Sequence, residues 1–309
     1  MGWENKTPVT EFLLLGFQNV HNLKIPLFIF FLVIYLSILS GNLLITALVL
    51  VSQNLKSPMY FFLANLSSTD VVLTSVVIPT MLSVLMKNGE VITFPGCITQ
   101  LYLFCSSAGT EFYLLTTMSY DRYLAICNPL HYLPIMDLRL RVILVISSWV
   151  LSFLLNMITV IQMCQLRFCG PNAMNHFLCD PILVLQLSCS DTSAIELQNL
   201  FLGLPATLFP LGFIFVTYIY ILITILKIST SAGRQKAFST CSSHLTVVCT
   251  YYLTIISLYV IPSKGLSADV KKVQSILYTV VTPLLNPIVY SLRNNEIQVA
   301  IQRLNKVKK

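Results

Sequence analysis

Three acidic side chains pose the chemical question in this sequence. Asp70 and Glu111 lie inside long apolar stretches, and Asp121 follows one of them in the run Met118-Ser119-Tyr120-Asp121-Arg122-Tyr123. A charge near the centre of a bilayer costs about 2.5 to 3.5 kcal/mol on insertion scales, so a carboxylate at that depth is kept where it faces a bundle interior and has a task. Asp70 lies 12 residues beyond Pro58 and Glu111 lies 11 residues before Arg122. At 1.5 Å per helical residue both sit roughly 16 to 18 Å from the same face of the membrane. Ser107 is one turn from Glu111 on the same helical face, and Asn42 and Asn286 are polar positions in other apolar stretches. Two carboxylates with hydroxyl and amide oxygens make a candidate site for a hard cation, and Na⁺ suits so small a site. The alternative is a carboxyl pair sharing a proton without metal.

The elements that must position these groups are membrane helices. With 56% hydrophobic and 10% charged residues over 309 positions, the chain has too little polar surface for a soluble globule. A helical span takes roughly 20 mostly apolar residues, and seven segments qualify: 24–51, 58–86, 95–127, 141–163, 196–227, 237–261 and 270–292. The distribution of lysine and arginine sets the orientation. With the amino terminus outside, seven of the 19 cations fall on the outer side and twelve on the inner side. Acids sharpen the contrast, because seven lie outside and three inside, leaving the inner face at +9. The basic balance therefore reads as inner-leaflet lipid contact; cations scattered over loops do not make a nucleic-acid surface. Residues 1–23 lack a basic head and a small-residue cleavage site, so the first span is expected to direct insertion. Asn5-Lys6-Thr7 is a glycosylation acceptor in the outer tail. Residues 293–309 read as a short amphipathic eighth helix on the inner leaflet.

The nine cysteines divide by depth. Cys97, Cys169, Cys179 and Cys189 face an oxidising compartment, which predicts two disulfides with three pairings open. Cys105, Cys127, Cys164, Cys241 and Cys249 are expected to be small buried hydrophobes. A metal site at His176 and Cys179 is disfavoured, because a cysteine in a disulfide is no thiolate ligand. Prolines 79, 205, 210, 283 and 287 each remove a helical hydrogen bond, so bends and cavities are expected near them.

On the outer half of the third span, Leu101, Phe104, Cys105, Ala108 and Gly109 share one helical stripe, and Tyr252, Ile255, Ile256 and Tyr259 make another on the sixth. Core packing explains such stripes as well as a ligand pocket does. No carboxylate, arginine or lysine falls on these faces, so a ligand bound there is expected to be small, mainly apolar and uncharged. Two other classes share the intramembrane acids. An ion- or proton-coupled transporter using Asp70 and Glu111 would show internal repeats of span pattern, which are lacking, and an intramembrane hydrolase would need a nucleophile or metal-ligand motif beside them.

An ordered series of motifs gives the chain a family likeness: Glu11-Phe12-Leu13-Leu14-Leu15-Gly16-Phe17, Gly41-Asn42, Pro58-Met59-Tyr60-Phe61-Phe62-Leu63 with Asp70, Met118 to Cys127, Lys236-Ala237-Phe238-Ser239-Thr240-Cys241 with His244, and Pro283-Leu284-Leu285-Asn286-Pro287-Ile288-Val289-Tyr290. The sequence resembles the rhodopsin-like G-protein-coupled receptors and, within them, the vertebrate odorant receptors, nearly end to end. The resemblance implies an all-α, seven-transmembrane bundle forming one domain over 1–309, with an extracellular tail at 1–23, the bundle at 24–292 and a cytoplasmic helix and tail at 293–309. It implies disulfides Cys97–Cys179 and Cys169–Cys189, and a sodium cavity lined by Asp70, Glu111, Ser107 and Asn286 with no other cofactor. Arg122 would engage a heterotrimeric G protein, with Asp121, Tyr123, Tyr218, His244 and Tyr290 in the coupling machinery. The odorant pocket would fall on Phe104, Cys105, Ala108, Leu202, Ala206, Tyr252, Ile255, Ile256, Tyr259, Ile276 and Thr279. The implied activity is non-enzymatic: odorant binding that raises cyclic AMP through the stimulatory olfactory G protein, at the plasma membrane of olfactory cilia. The chain departs from the family in reading Tyr251-Tyr252-Leu253 where Phe-Tyr-Gly is usual. Around Arg234-Gln235-Lys236 there is no acid, which leaves Asp121 as the evident partner of Arg122.

Overall fold

The computed structural model describes residues 9–18, 20–169, 171–256 and 267–307. Asn5 and Tyr259 lie outside the described residues. Among the described residues, seven long helical segments form one bundle. Five are long and apolar enough by themselves to cross a membrane: α1 (Lys24–Val51), α2 (Pro58–Lys87), α5 (Leu138–Cys164), the fifth span Ser193–Lys227, which ends in α8 (Leu204–Lys227), and the seventh span, which runs from α10 (Ala268–Ile276) into α11 (Thr282–Arg293). The third and sixth spans, α3 (Phe94–Cys127) and α9 (Ser231–Ile255), are less apolar. Glu111, Asp121 and Arg122 dilute α3, and the serine- and threonine-rich inner half dilutes α9. α3 is enclosed instead, packing against α2, α5, α8 and α9.

The helix ends follow local chemistry. Ser57 precedes Pro58, whose fixed φ suits the first turn of α2. Thr93 accepts from the Gly96 amide at the start of α3, Asp137 from Leu140 at 2.7 Å at the start of α5, and Ser267 from Val270 at the start of α10. Short helices fill the connections: α4 (Pro129–Ile135) on the inner side, and α6 (Pro181–Gln186) and α7 (Ser193–Gln198) on the outer side. Two of the five prolines act as expected. Wide π-helical turns at Asn199–Gly203 and Leu277–Val281 come just before Pro205 and Pro283, where the missing N–H breaks the regular ladder.

The inner amphipathic helix is α12 (Asn295–Val307). It turns Ile297 and Ala300 inward and leaves Val299 exposed, and Asn294 caps it while accepting from the Tyr60 hydroxyl at 2.9 Å.

The stretch read as an outer tail is partly folded. A three-stranded sheet of order β2-β1-β3 joins β1 (Glu11–Leu14) antiparallel to β2 (Glu90–Thr93) and parallel to β3 (Ala173–Met174). Alternation along β1 buries Phe12 and Leu14. Phe12 packs edge-on against Phe168 and beside Phe94, and Phe17 stacks on Phe177 at 5.6 Å. Gly16 turns the chain out of the strand at φ +57, and a Cβ there would collide with Val84.

Candidate functional site

Midway along the bundle, α2, α3 and the seventh span bring the intramembrane acids together. Asn286 donates its amide to Asp70 Oδ2 at 2.8 Å, and Asp70 and Glu111 are close enough to share a hydrogen bond. Both acids are buried, as are Ser107, Asn286 and Asn42. Among the described residues, Asp70 Oδ1, Glu111 Oε1, Ser107 Oγ, Asn286 Oδ1 and Asn42 Oδ1 lack a hydrogen-bond partner. A cluster of buried, unsatisfied oxygens that includes two carboxylates fits a hard cation.

Just outward of this cluster the Tyr251 hydroxyl donates to the Ala108 carbonyl at 2.6 Å, meets the Tyr278 hydroxyl at 3.4 Å and reaches Glu111. One phenol thus joins the third, sixth and seventh spans. The sequence reading noted Tyr251 only as a departure from the family's Phe. Leu253, the bulky residue in the glycine position, points away from the bundle without interrupting α9.

Among the expected pocket residues, Phe104 packs edge-on against Tyr278 at 5.8 Å, and Ala108, Tyr252, Ile255 and Thr279 are buried near by on the third, sixth and seventh spans. Cys105, Ala206 and Ile276 are half-buried. The structure does not bring Leu202 and Ile256 into this buried group, since they are 47% and 37% exposed. Leu202 lies within the π-helical turn, which rotates the phase that a regular α-helix would give it. A cleft of about 390 Å³ lies elsewhere, between the inner halves of α8 and α9, where Tyr218, Ile225, Cys241 and Cys249 line it. The free cysteines are less uniformly buried than expected. Only Cys241 is fully buried, while Cys164 and Cys249 are exposed on the bundle surface, where a thiol is apolar enough to face lipid.

At the inner end, Arg122 pairs with its neighbour Asp121 at 2.6 Å, as the lack of a cross-helix acid implied. Tyr132 of α4, which sequence reasoning missed, donates to the other Asp121 oxygen at 2.8 Å. Burial and the Asp121 charge raise the pKa of that phenol. The Tyr218 hydroxyl bonds His244 Nδ1 at 2.6 Å, and the buried Tyr290 hydroxyl has no hydrogen-bond partner among the described residues. Tyr123 packs edge-on against Tyr220 of α8.

At the outer end the pairs are Cys97–Cys179 and Cys169–Cys189. Gln100 accepts from the Cys179 amide and donates to Val76 and Thr80. His176, buried against Phe177, meets Ser275 of α10 through Nε2 at 3.2 Å. Burial, with the charges of Lys272 and Lys271, pulls its pKa down to about 3.

A seven-helix bundle with a pocket stripe outward of an acid cluster and an Asp-Arg pair at its inner end is the architecture of a rhodopsin-like receptor. The crystal structure of squid rhodopsin superposes with a TM-score of 0.72 at 17% identity, covering 91% of this chain and 85% of that one; at that identity it supports the fold alone. The sequence pattern of the family described as "Olfactory receptor" matches residues 31–308. Olfactory receptor 10A7 of Homo sapiens is 48% identical over 97% of this chain and 95% of its own. Olfactory receptor 5G26 of Mus musculus is 46% identical over 97% and 94%, and human olfactory receptor 11A1 is 44% identical over 96% and 94%. The chain belongs to the olfactory receptor family. It is an odorant-binding, G-protein-coupled receptor of the plasma membrane and not an enzyme, and the transporter reading of Asp70 and Glu111 finds no support.

Proposed function

We propose that this receptor binds small, mainly apolar, uncharged volatiles in the outer half of the bundle, on Phe104, Cys105, Ala108, Tyr252, Ile255, Ile276 and Thr279, with Leu202, Ala206, Ile256 and Tyr259 completing the group in the bound arrangement. Its amino terminus lies outside and its carboxyl terminus inside, with the segments 1–23, 24–292 and 293–309 as outer tail, bundle and inner helix. The odorant binds one arrangement of the bundle more tightly and shifts the population toward it. The inner end of α9 then moves away from α3, freeing Arg122 for the stimulatory olfactory G protein and raising cyclic AMP. By family likeness the site of action is the ciliary membrane, and a glycan on Asn5 would lie on its outer face.

The observation that carries this reading is a series of buried contacts down the bundle, an edge-on aromatic pair at Phe104–Tyr278 and then hydrogen bonds at Tyr251–Ala108, Asp70–Asn286 and Tyr218–His244. Asp70, Glu111, Ser107 and Asn286 are the residues that would hold Na⁺, which supplies positive charge to two adjacent carboxylates in a low-dielectric interior. Replacing Asp70 with Asn removes one of those charges. Basal cyclic AMP of the Asp70→Asn receptor should change and lose its dependence on sodium, while unchanged behaviour in both respects removes the cavity from the mechanism.

A further inference from the structure

The cleft between the inner halves of α8 and α9 lies apart from both the expected odorant pocket and the acid cluster, and it faces away from the bundle. Ile221, Ile225 and Cys241 are buried in its lining, while Leu222, Phe238 and Leu253 stand exposed along it. Its volume is about 390 Å³. Hydroxyls in its wall are spent within the protein. Tyr218 bonds His244, and Thr246 and Thr250 donate to the carbonyls one turn back at 2.7 and 2.9 Å. The groove therefore suits a hydrocarbon. On α9 its lining runs from Phe238 to Leu253, fifteen residues, or about 22 Å at 1.5 Å per residue. Half of a bilayer's hydrocarbon core is about 15 Å deep, so the groove takes a chain that enters at the membrane surface and descends through one leaflet.

The surface end of the groove is positive. Between residues 197 and 268 the sequence holds no aspartate or glutamate, and the short connection from α8 to α9 is flanked by Lys227, Arg234 and Lys236. Arg234 is exposed one turn before Phe238, on the same face of α9. Lys227 is exposed in the last turn of α8, two residues beyond Ile225. Among the described residues neither forms an ion pair. Unpaired cations at the foot of an apolar groove complement a molecule with an anionic head and a hydrocarbon tail, at about fivefold in affinity for each cation. A neutral lipid fills the groove equally well but gains nothing from that charge, and a soluble anion gains nothing from the groove.

We propose that this groove is a binding site for an anionic phospholipid, with one acyl chain lying between α8 and α9 and the headgroup at Arg234 and Lys227. Calling that leaflet the inner one rests on the orientation given above; the site itself does not.

The test uses the full chain in nanodiscs of phosphatidylcholine that carry a trace of photoactivatable lipid. That lipid is either phosphatidylserine or phosphatidylcholine, with a diazirine midway along the same acyl chain. Crosslinked residues are read by peptide mass spectrometry, and the exposed Leu36 and Leu43 of α1 measure ordinary lipid contact. Normalised to α1, phosphatidylserine should label Leu222, Leu245 and Leu253 about fivefold more than phosphatidylcholine does, or more. Arg234→Gln should shrink that excess, and Arg234→Gln combined with Lys227→Gln should abolish it. Cys249→Trp, which fills the groove from α9, should lower labelling there by both lipids. Equal normalised labelling by the two lipids, the mark of ordinary boundary lipid, overturns the proposal, and so does an excess that survives the loss of both cations. The wild-type ratio decides the matter where a variant does not fold. Nanodiscs offer the lipid to both leaflets, so a reversed orientation of the chain would leave the result unchanged.

Discussion

The two ends of the bundle are held by different kinds of bond. The outer end is fastened across long stretches of sequence: two disulfides, a sheet joining residues near 12, 92 and 173, an aromatic cluster around Phe12, and the His176–Ser275 contact between loop and seventh span. At the inner end the strongest interaction, Arg122–Asp121, lies within one helix and ties nothing to a neighbour. Among the described residues, single side-chain hydrogen bonds cross between helices there, among them Tyr218 to His244, Tyr132 to Asp121, Ser119 to Thr217 and Tyr60 to Asn294. Covalent and multi-residue restraints resist opening, whereas one hydrogen bond contributes about 1 kcal/mol. The contrast suits a device whose outer half holds its shape for a ligand while its inner half moves.

The largest expected effect lies on the covalent side. The Cys97–Cys179 bridge spans 82 residues and the Cys169–Cys189 bridge spans 20. On loop-closure grounds these stabilise by about 4.5 and about 3 kcal/mol. Cys97→Ser should therefore abolish surface display, and Cys169→Ser should reduce it less; the reverse order in a surface-staining comparison would break the ranking.

The next effect concerns acid. Because the folded state holds His176 neutral down to about pH 3, the unfolded chain binds a proton below its ordinary pKa near 6.5 that the folded chain refuses. Stability is thus fully present above about pH 6.5 and is lost as the pH falls from there toward 3. Asp180, raised by burial, contributes with the opposite sign, so the measurement is the difference between wild type and His176→Gln in thermal unfolding of detergent-solubilised receptor. That difference should shrink on acidification. A difference that stays constant from pH 7 to pH 5 would show that His176 does not titrate as argued.

Smaller effects should appear inward. Tyr251→Phe deletes the hydroxyl that ties α9 to the Ala108 carbonyl and to Tyr278, and Phe is the residue the family resemblance places there. Loss of about 1 kcal/mol from one arrangement shifts a two-state population about fivefold, so basal cyclic AMP should rise by that order with little change in surface display. Tyr218→Phe removes the bond to His244 and a long contact with the Cys241 carbonyl, both on α9, and should change basal signalling by a smaller factor, again without loss of folded receptor. If either inner substitution destroyed the fold, the inner end would be as much a clamp as the outer.

Much of this was legible in the chain because membrane helices write themselves locally. The span 24–51 coincides with α1 and five others lie within three residues of their helices, whereas α9 begins six residues before the expected start at 237 and the expected end at 261 lies outside the described residues; Asp121 was identified as the partner of Arg122 from the missing acid near Arg234. The disulfide pairing came from the family likeness, spacing having left three choices. What escaped was non-local. The Phe12 and Leu14 alternation is visible, yet its partners lie about 80 and 160 residues away along the chain, and nothing local announces such pairing. Asp180 stood in a loop, outside every helical stripe, and only the fold shows it buried as the cap of α6. Leu202 lies outside the buried group because a π-helical turn rotates the residues after Asn199 in a way that a regular period cannot show.

The central claim is that the inner end opens while the outer end stays closed. Spin-labelled amino acids at Leu138 and Arg234, both exposed at the inner ends of α5 and α9, report the first, and a pair at Val91 and Val270 on the outer sheet and α10 reports the second. Distances measured by pulsed electron resonance in nanodiscs, with and without an activating odorant and G protein, should lengthen for the inner pair and hold for the outer pair. An outer pair that moves as far as the inner one, or an inner pair that stays fixed while the G protein exchanges nucleotide, would contradict the account.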